Sequence, residues 1–349
     1  MNQNGKKDGS DPRHTEHDGF PRASSPLEQM RFIANFAMLA PSPFNTQPWR
    51  IRVTDNTLEV YPDLNLWLRS ADPDGHDLVV SCGAAVANAV VALRHFGFAT
   101  RVETFTGDKI DEKAWLVRLT VTGPHANDTI DTMLYYAIQN RHTARKPFND
   151  RLIPQPLMAD ISAVLAQEHG ADMSEVDDPE RRNKVAALWD EIMDDVSKDK
   201  SRDAEVQKWI GTTDPQRKDG EPIAAAGIDQ LHYHWINLTR GGSGLVDESR
   251  QRTRARIISC PRLVAISTSG DTLSDWVTAG MAMESALLRA CSPGVQAFFL
   301  GQLTCRKEDR MRTREVLDLK GIPHVALCLG FSSSSPTTPR RPLSEVLLP

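Results

Sequence analysis

Two stretches 197 residues apart constrain this chain more than any other feature: Gly83–Val102 superposes on Gly280–Phe299. Gly83 meets Gly280, Ala85 meets Ala282, Ala89 meets Ala286 and Gly97 meets Gly294, while Val90-Val91 meets Leu287-Leu288. Each copy reads as a helix of small residues that stops at a glycine before a strand. Small side chains let two helices approach closely, because interaxial distance follows the residues at the contact. The expected architecture is therefore two similar, packed halves. Such a chain carries within itself the two-fold symmetry that a homodimer gains by association.

The size of the chain agrees. Its 349 residues, 40% hydrophobic and 25% charged, fit ordinary globular composition and exceed what one core usually serves. A net charge of −5 argues against broad nucleic-acid binding. The five cysteines are scattered and form no C-x-x-C, which reads as free thiols in a reducing compartment. The apolar run from Leu78 to Leu93 falls short of the 18 or more residues of a membrane span, so a buried core helix is expected. The first 22 residues are polar, unlike a secretory leader, and the cytoplasm is the expected location.

Periodicity divides the rest. Residues 1–25 look disordered or loosely tethered. A first half, 26–128, opens with a helix at Ser25-Pro26, continues through a hairpin between Ile51 and Tyr61, turns at Asp72-Pro73-Asp74-Gly75, and adds strands at 101–105 and 115–121. A second half, 129–349, starts with a helix ending near Asn140 and a helix from Leu157 to Glu168. Strands are expected at Ile257–Ser259, Leu263–Ile266, Val295–Phe299 and Val325–Leu329, with a helix from Val277 to Ala290. The charged stretch 189–228, anchored by Trp189 and Trp209, is long for a connector and reads as a lid. Residues 332–349 form a C-terminal arm.

Three segments carry chemistry. In Ala40-Pro41-Ser42-Pro43-Phe44-Asn45-Thr46-Gln47-Pro48-Trp49 the prolines fix φ and force extended backbone before them, giving a rigid loop that displays Ser42, Asn45, Thr46 and Gln47. Such a loop can offer amides to the edge of a flat heteroaromatic ligand. Arg141-His142-Thr143-Ala144-Arg145 and Arg340-Arg341 place two arginine pairs and a hydroxyl where a phosphate monoester could be held by guanidinium forks. Taken alone, either pair reads more readily as solvated surface charge. Two histidines flanking Tyr233 lack carboxylate or thiolate support, so no metal site is expected.

With Ser81-Cys82-Gly83-Ala84-Ala85, Asp219-Gly220-Glu221-Pro222 and Thr338-Pro339-Arg340-Arg341-Pro342-Leu343, these motifs resemble the Acg-like subfamily of the FMN-binding nitroreductase superfamily, over nearly the whole chain. The resemblance implies an α+β nitroreductase fold in which two halves of one chain mimic the family homodimer. It assigns Arg141, His142, Thr143, Arg145, Arg340 and Arg341 to the phosphate and ribityl chain of FMN. Pro41, Ser42, Pro43 and Asn45 go to the isoalloxazine, and Leu300 and Gly301 lie near its reactive face. The second half lacks the Pro-Ser-x-x-Asn loop, and Arg13-His14-Thr15 only faintly echoes Arg141-His142-Thr143, so one intact flavin site is expected.

The implied function is reduction of a small electron-poor acceptor, a nitroaromatic or quinone, by flavin hydride transfer from NAD(P)H, with no catalytic side chain beyond the flavin itself. A lid-covered flavin store with little NAD(P)H turnover is the rival, and a scaffold that has lost its flavin is a third reading. A monomer with an internal pseudo-dimer is expected, with neither nucleic acid nor membrane as partner.

Overall fold

The computed structural model describes residues 12–16, 19–212, 214, 216–222, 242–333 and 337–349. The small-residue stretches form two long helices, α2 (His76–His95) and α8 (Leu273–Cys291). They cross where both side chains vanish. A Cβ on Gly83 would lie 2.3 Å from the Val277 carbonyl oxygen, and one on Gly280 would lie 2.0 Å from that of Val80. The contact is reciprocal, since 277 is 80 shifted by the same 197 residues that relate the two glycines. Nearly all of α2 is buried, including Val79, Cys82, Ala85, Val86 and Ala89, as a core helix requires. By length and apolarity alone it could cross a membrane; here its surroundings are protein.

Two four-stranded antiparallel sheets flank this pair. The first contains β1 (Trp49–Val53), β2 (Thr57–Pro62), β3 (Phe98–Thr104) and β4 (Val117–Pro124) in the order β1-β2-β4-β3. The second contains β5 (Asp172–Glu175), β8 (Arg262–Thr268), β9 (Gln296–Phe299) and β10 (Ile322–Gly330) in the order β5-β8-β10-β9. Both sheets thus have the order first, second, fourth, third, with the long helix between the second and third strands. This mixed, segregated arrangement is the α+β class.

The sheets differ in what covers them. In β8 and β10 successive residues alternate between two cores. Val264, Ile266, Val325, Leu327 and Leu329 join the central one around α2 and α8. Leu263, Ala265, Ala326 and Cys328 join a second one with Trp189, Ile192, Ile257 and Leu317. That second core is covered by α5 (Pro179–Val196), α7 (Gly242–Ser259) and α9 (Lys307–Leu317). Strands buried on both faces read as continuous apolar runs, as these do.

The remaining helices are α1 (Pro26–Ala37), α3 (Thr129–Asn140), α4 (Gln155–Val164) and α6 (Lys200–Val206). Helix α1 begins with a capping box between Ser25 and Glu28 and has Pro26 in its first turn, as the sequence suggested. The short strands β6 (Ile210–Thr212) and β7 (Glu221–Pro222) pair in parallel.

Three expectations need correction. Ile257–Ser259 ends a helix, because Thr253, Ile257 and Cys260 are buried at helical spacing rather than alternately. Trp189 is a core residue of α5, so the proposed lid does not begin there. The described part of the N-terminal segment is packed: Phe20 stacks on Phe96 at 4.1 Å and meets Phe32 edge-on, and Thr15 accepts a hydrogen bond from Gln139. Residues 223–228 of the proposed lid, and His232, Tyr233 and His234, lie outside the described residues.

Within a helix, glycine to alanine ordinarily adds up to about 1 kcal/mol of stability. At Gly280 the new methyl would overlap the Val80 carbonyl, and the helices must separate. Gly280→Ala is expected to destabilise the protein by about 1–3 kcal/mol or more, read as a fall in the urea midpoint at unchanged m-value. A neutral or stabilising result would remove the crossing from its central place.

Candidate functional site

The loop between α1 and β1 holds three non-glycine residues in left-handed backbone: Phe44 (φ 48°), Asn45 (φ 57°) and Gln47 (φ 53°). Such geometry costs roughly 1–2 kcal/mol per residue, and it persists only where surroundings enforce it. The enforcement is visible. Asn45 Nδ2 donates to the Gly220 and Pro339 carbonyls, each at 3.0 Å, and Asn45 Oδ1 accepts from Arg340 Nη1 at 2.9 Å. Gln47 Nε2 donates to the Lys218 carbonyl at 2.8 Å, and Gln47 Oε1 accepts from the Arg341 backbone N–H at 2.9 Å. The amides that the sequence displays for a ligand are turned into the protein, where they clamp the loop between residues 218–220 and the C-terminal arm.

What the loop presents instead is its wall. Pro41, Ser42, Pro43, Phe44 and Asn45 line a cleft of about 250 Å³. Val80 and Ser81 of α2 and Met283 of α8 form another wall, beside the helix crossing, and Phe298, Phe299 and Gly301 close it from β9 and the turn that follows. Arg13, Arg141, Arg145 and Arg340 bring four guanidinium groups to the same cleft, with His142, Thr143 and Thr338 beside them.

These cations have internal counterions. Arg141 donates to the Leu39 carbonyl at 3.3 Å and lies 3.5 Å from the carboxylate of Glu284, which is fully buried in α8. Burial pushes the Glu284 carboxyl up to about 7, against the opposing charge of Arg141. Arg145 pairs with Glu221 of β7, itself in the cleft wall. Arg340 spends donors on Asn45 and on the Leu39 and Ala40 carbonyls at 3.2 and 3.3 Å, so it fastens the loop as well as facing the cleft. Burial holds the His142 imidazole below its usual range, and the charges of Arg141, Arg13 and Arg340 add to this.

Most of the residues singled out from the sequence therefore converge. Pro41, Ser42, Pro43, Asn45, Arg141, His142, Thr143, Arg145, Gly301 and Arg340 share one cleft. Two do not line it. Leu300 is fully buried beneath the turn that carries Gly301, and the Arg341 side chain turns away to Asp63 and Glu345.

A second polar group on the cleft wall has no counterpart in the sequence reading. Asp72, Asp77, Gln302, Thr304 and His324 line the cleft beside Gly301. His76, wholly buried, sits 2.9 Å from Asp77 Oδ1 through Nδ1 and 3.1 Å from His324 Nδ1 through Nε2. His324 Nε2 lies 2.9 Å from Thr268 Oγ1. Burial, then the neighbouring Asp77 charge, pushes the Asp72 carboxyl well above the usual carboxylate range. The partners are 248 residues apart, so no spacing rule could have joined them.

Comparison with known proteins bears out the resemblance drawn from the sequence. The chain is 28% identical over 331 residues, 92% of its own length and 91% of the relative's, to “Putative NAD(P)H nitroreductase Rv3131” of Mycobacterium tuberculosis strain H37Rv. It is 23% identical over 327 residues, 91% and 94% of the two lengths, to “Putative NAD(P)H nitroreductase acg” of the same strain. Among solved structures, the FMN- and NADPH-dependent nitroreductase NfnB from Sphigopyxis sp. strain HMH aligns with 61% of this chain and 96% of its own, at 18% identity and a TM-score of 0.41. No protein-family model matches the chain.

Glu284 makes the stability of this site pH-dependent. The folded chain keeps a proton on Glu284 to about pH 7, whereas an exposed glutamate in the unfolded chain releases it near 4.5. Its contribution is thus fully present below pH 4.5 and is lost as pH rises to about 7, a decline of roughly 3 kcal/mol. Urea unfolding across that window is expected to show the slope in the parent protein and a flatter profile in Glu284→Gln.

Proposed function

We propose that the chain is an FMN-dependent oxidoreductase of the nitroreductase type, taking hydride from NAD(P)H and reducing a small electron-poor acceptor such as a nitroaromatic or quinone. The observation that carries this reading is the convergence on one cleft of an apolar, proline-stiffened wall and four guanidinium groups. That pairing suits a flat heteroaromatic ring joined to a phosphate monoester. The names of the relatives, both NAD(P)H nitroreductases, point to the same chemistry.

The donor set fits FMN. Arg141, His142, Thr143 and Arg145, joined by Arg13 and Thr338, would hold the phosphate and ribityl chain by charge-assisted hydrogen bonds. Pro41, Pro43, Met283 and Phe299 would flank the ring and keep water from it. When bound, FMN supplies the hydride chemistry, and the protein supplies position and electrostatics. Glu284, through Arg141, sets how much positive charge meets the phosphate. Arg340 acts through Asn45 by holding the loop in its left-handed form.

Two halves of one chain stand here for the two subunits of a dimeric relative. The reciprocal glycine contact and the shared strand order support that reading. Light scattering of the flavin-loaded protein is expected to give the mass of one chain. An obligate dimer that sheds flavin on dilution would defeat the twin-half reading.

A second reading, flavin storage, is favoured by one observation. Residues 218–220 are held to the proline loop through Gln47 and Asn45, and Glu221 pairs with Arg145 across the cleft wall, so this segment covers one approach to the cleft. Anaerobic NADPH separates the two: bleaching of the yellow protein supports the reductase, and persistent colour supports storage.

Arg141→Ala and Arg145→Ala are each expected to weaken FMN retention ten- to a hundredfold, the loss of one charge-assisted contact of roughly 1.5–3 kcal/mol. Arg341→Ala, outside the cleft, should retain FMN as the parent does. Equal flavin content in all three after dialysis would place the phosphate elsewhere.

A further inference from the structure

The two buried histidines belong to a longer line. Asp77 Oδ1 meets His76 Nδ1 at 2.9 Å, His76 Nε2 meets His324 Nδ1 at 3.1 Å, His324 Nε2 meets Thr268 Oγ1 at 2.9 Å, and Thr268 Oγ1 meets Asp275 Oδ1 at 3.3 Å. The middle is shielded from bulk solvent: His76, His324 and Thr268 are 0%, 1% and 4% exposed, with His324 also bordering the cleft. Both ends are open. Asp77 lines the cleft, and half-buried Asp275 sits in the first turn of α8, capping it with exposed Thr272. Asp77 and His76 come from the first half of the chain, the other three from the second.

We propose that Asp275, Thr268, His324, His76 and Asp77 form a proton-conducting line between the outer surface at the start of α8 and the cleft, with Asp77 as the proton-exchanging carboxyl. This rests on the reading of the cleft as a redox site, because an acceptor that receives a hydride needs one further proton to leave as a neutral product. That proton comes from the Asp77 carboxyl: its O–H bond breaks as the product's O–H bond forms, and the carboxylate remains.

The hydrogen bonds allow two complete arrangements. In the first, Asp77 is a carboxylate, both imidazoles carry their proton on Nδ1, and the Thr268 hydroxyl donates to His324 Nε2. In the second, Asp77 is protonated and both imidazoles carry their proton on Nε2. His324 then donates to Thr268 Oγ1 or to the Gly270 carbonyl at 3.1 Å, and the Thr268 hydroxyl turns to Gly270 or Asp275. Passing from the first to the second hands one proton inward at every link, the outermost supplied through Asp275. A turn of each ring then resets the line. Neither arrangement contains an imidazolium, which suits the site: burial lowers the basicity of both rings, His324 to about 3.

The groups facing the line from neighbouring elements are Asp72 and Asp74 before α2, Asp271 in the turn before α8, and Arg310 and Cys305 from α9 and the turn preceding it. Arg310 pairs with Asp271 at 3.2 Å and approaches Asp74 at 3.6 Å, so its charge is largely balanced before it reaches the imidazoles.

The test is a pH titration of the purified full-length protein with 15N-labelled histidine. Long-range nitrogen–proton NMR reads each tautomer, and the infrared carbonyl band lost in Asp77→Asn reads the carboxyl. His76→Gln and His324→Gln assign the rings. The expected result is that both imidazoles pass from Nε2–H to Nδ1–H together as Asp77 loses its proton. Thr268→Val removes the donor to His324, so it should hold both rings as Nε2–H, while Thr268→Ser behaves as the parent. Rings that stay fixed or change separately while Asp77 titrates would overturn the proposal, and the parent protein alone decides this if the valine variant does not fold. No readout needs the cofactor. Joint switching in a chain that takes up no FMN would support the line and defeat the redox reading, whereas a yellow protein with fixed rings would overturn the line alone.

Discussion

The close crossing of α2 and α8 is the contact on which everything else depends. Two glycines let each helix rest on the other's carbonyls, and no other residue type leaves room for that approach. Beside the crossing, Val80, Ser81 and Met283 become cleft wall. The crossing also brings the N-terminus of α2, with His76 and Asp77, against the second sheet at His324. The cleft draws walls from both helices, so this contact fixes how those walls face one another.

Around it, charge is arranged in opposed layers. Arginines face the cleft, and acids stand behind or beside them: Glu284 under Arg141, and Glu221 against Arg145. An ionised carboxylate beside a guanidinium reduces the cost of holding several cations together. The proline loop is handled in the same spirit. Its strained backbone is held by hydrogen bonds from two distant parts of the chain, which leaves its outer wall rigid before any ligand arrives.

Much of this was legible in the residues. Prolines announced the loop, small residues announced the crossing, and the Arg-His-Thr-x-Arg motif announced the arginines that line the cleft. Legibility failed where the deciding partner was remote. Nothing local says that Asn45 and Gln47 must turn inward, since Gly220, Lys218 and Arg340 decide it. Trp189 in a charged stretch looks like the anchor of a lid until α7 and α9 are seen to cover the outer face of the second sheet. Ile257–Ser259 shows β-rich residues whose burial follows a helix. Phe20 is one aromatic in a polar segment, and only Phe96, Phe98 and Phe32 make it a docking point. The histidine line joins residues whose only shared property is where the fold puts them.

The clamp on the proline loop also has a consequence for how the protein is made. Several of its fastenings come from Arg340, Pro339 and Arg341, nearly 300 residues downstream, and β1 is itself hydrogen-bonded to Val346 and Leu348 through Ile51. During synthesis the first sheet and α2 leave the ribosome long before those residues exist. The loop must wait, unfastened, while the second half is translated. The cleft therefore takes its final shape only once residues 339–348 have left the ribosome as well.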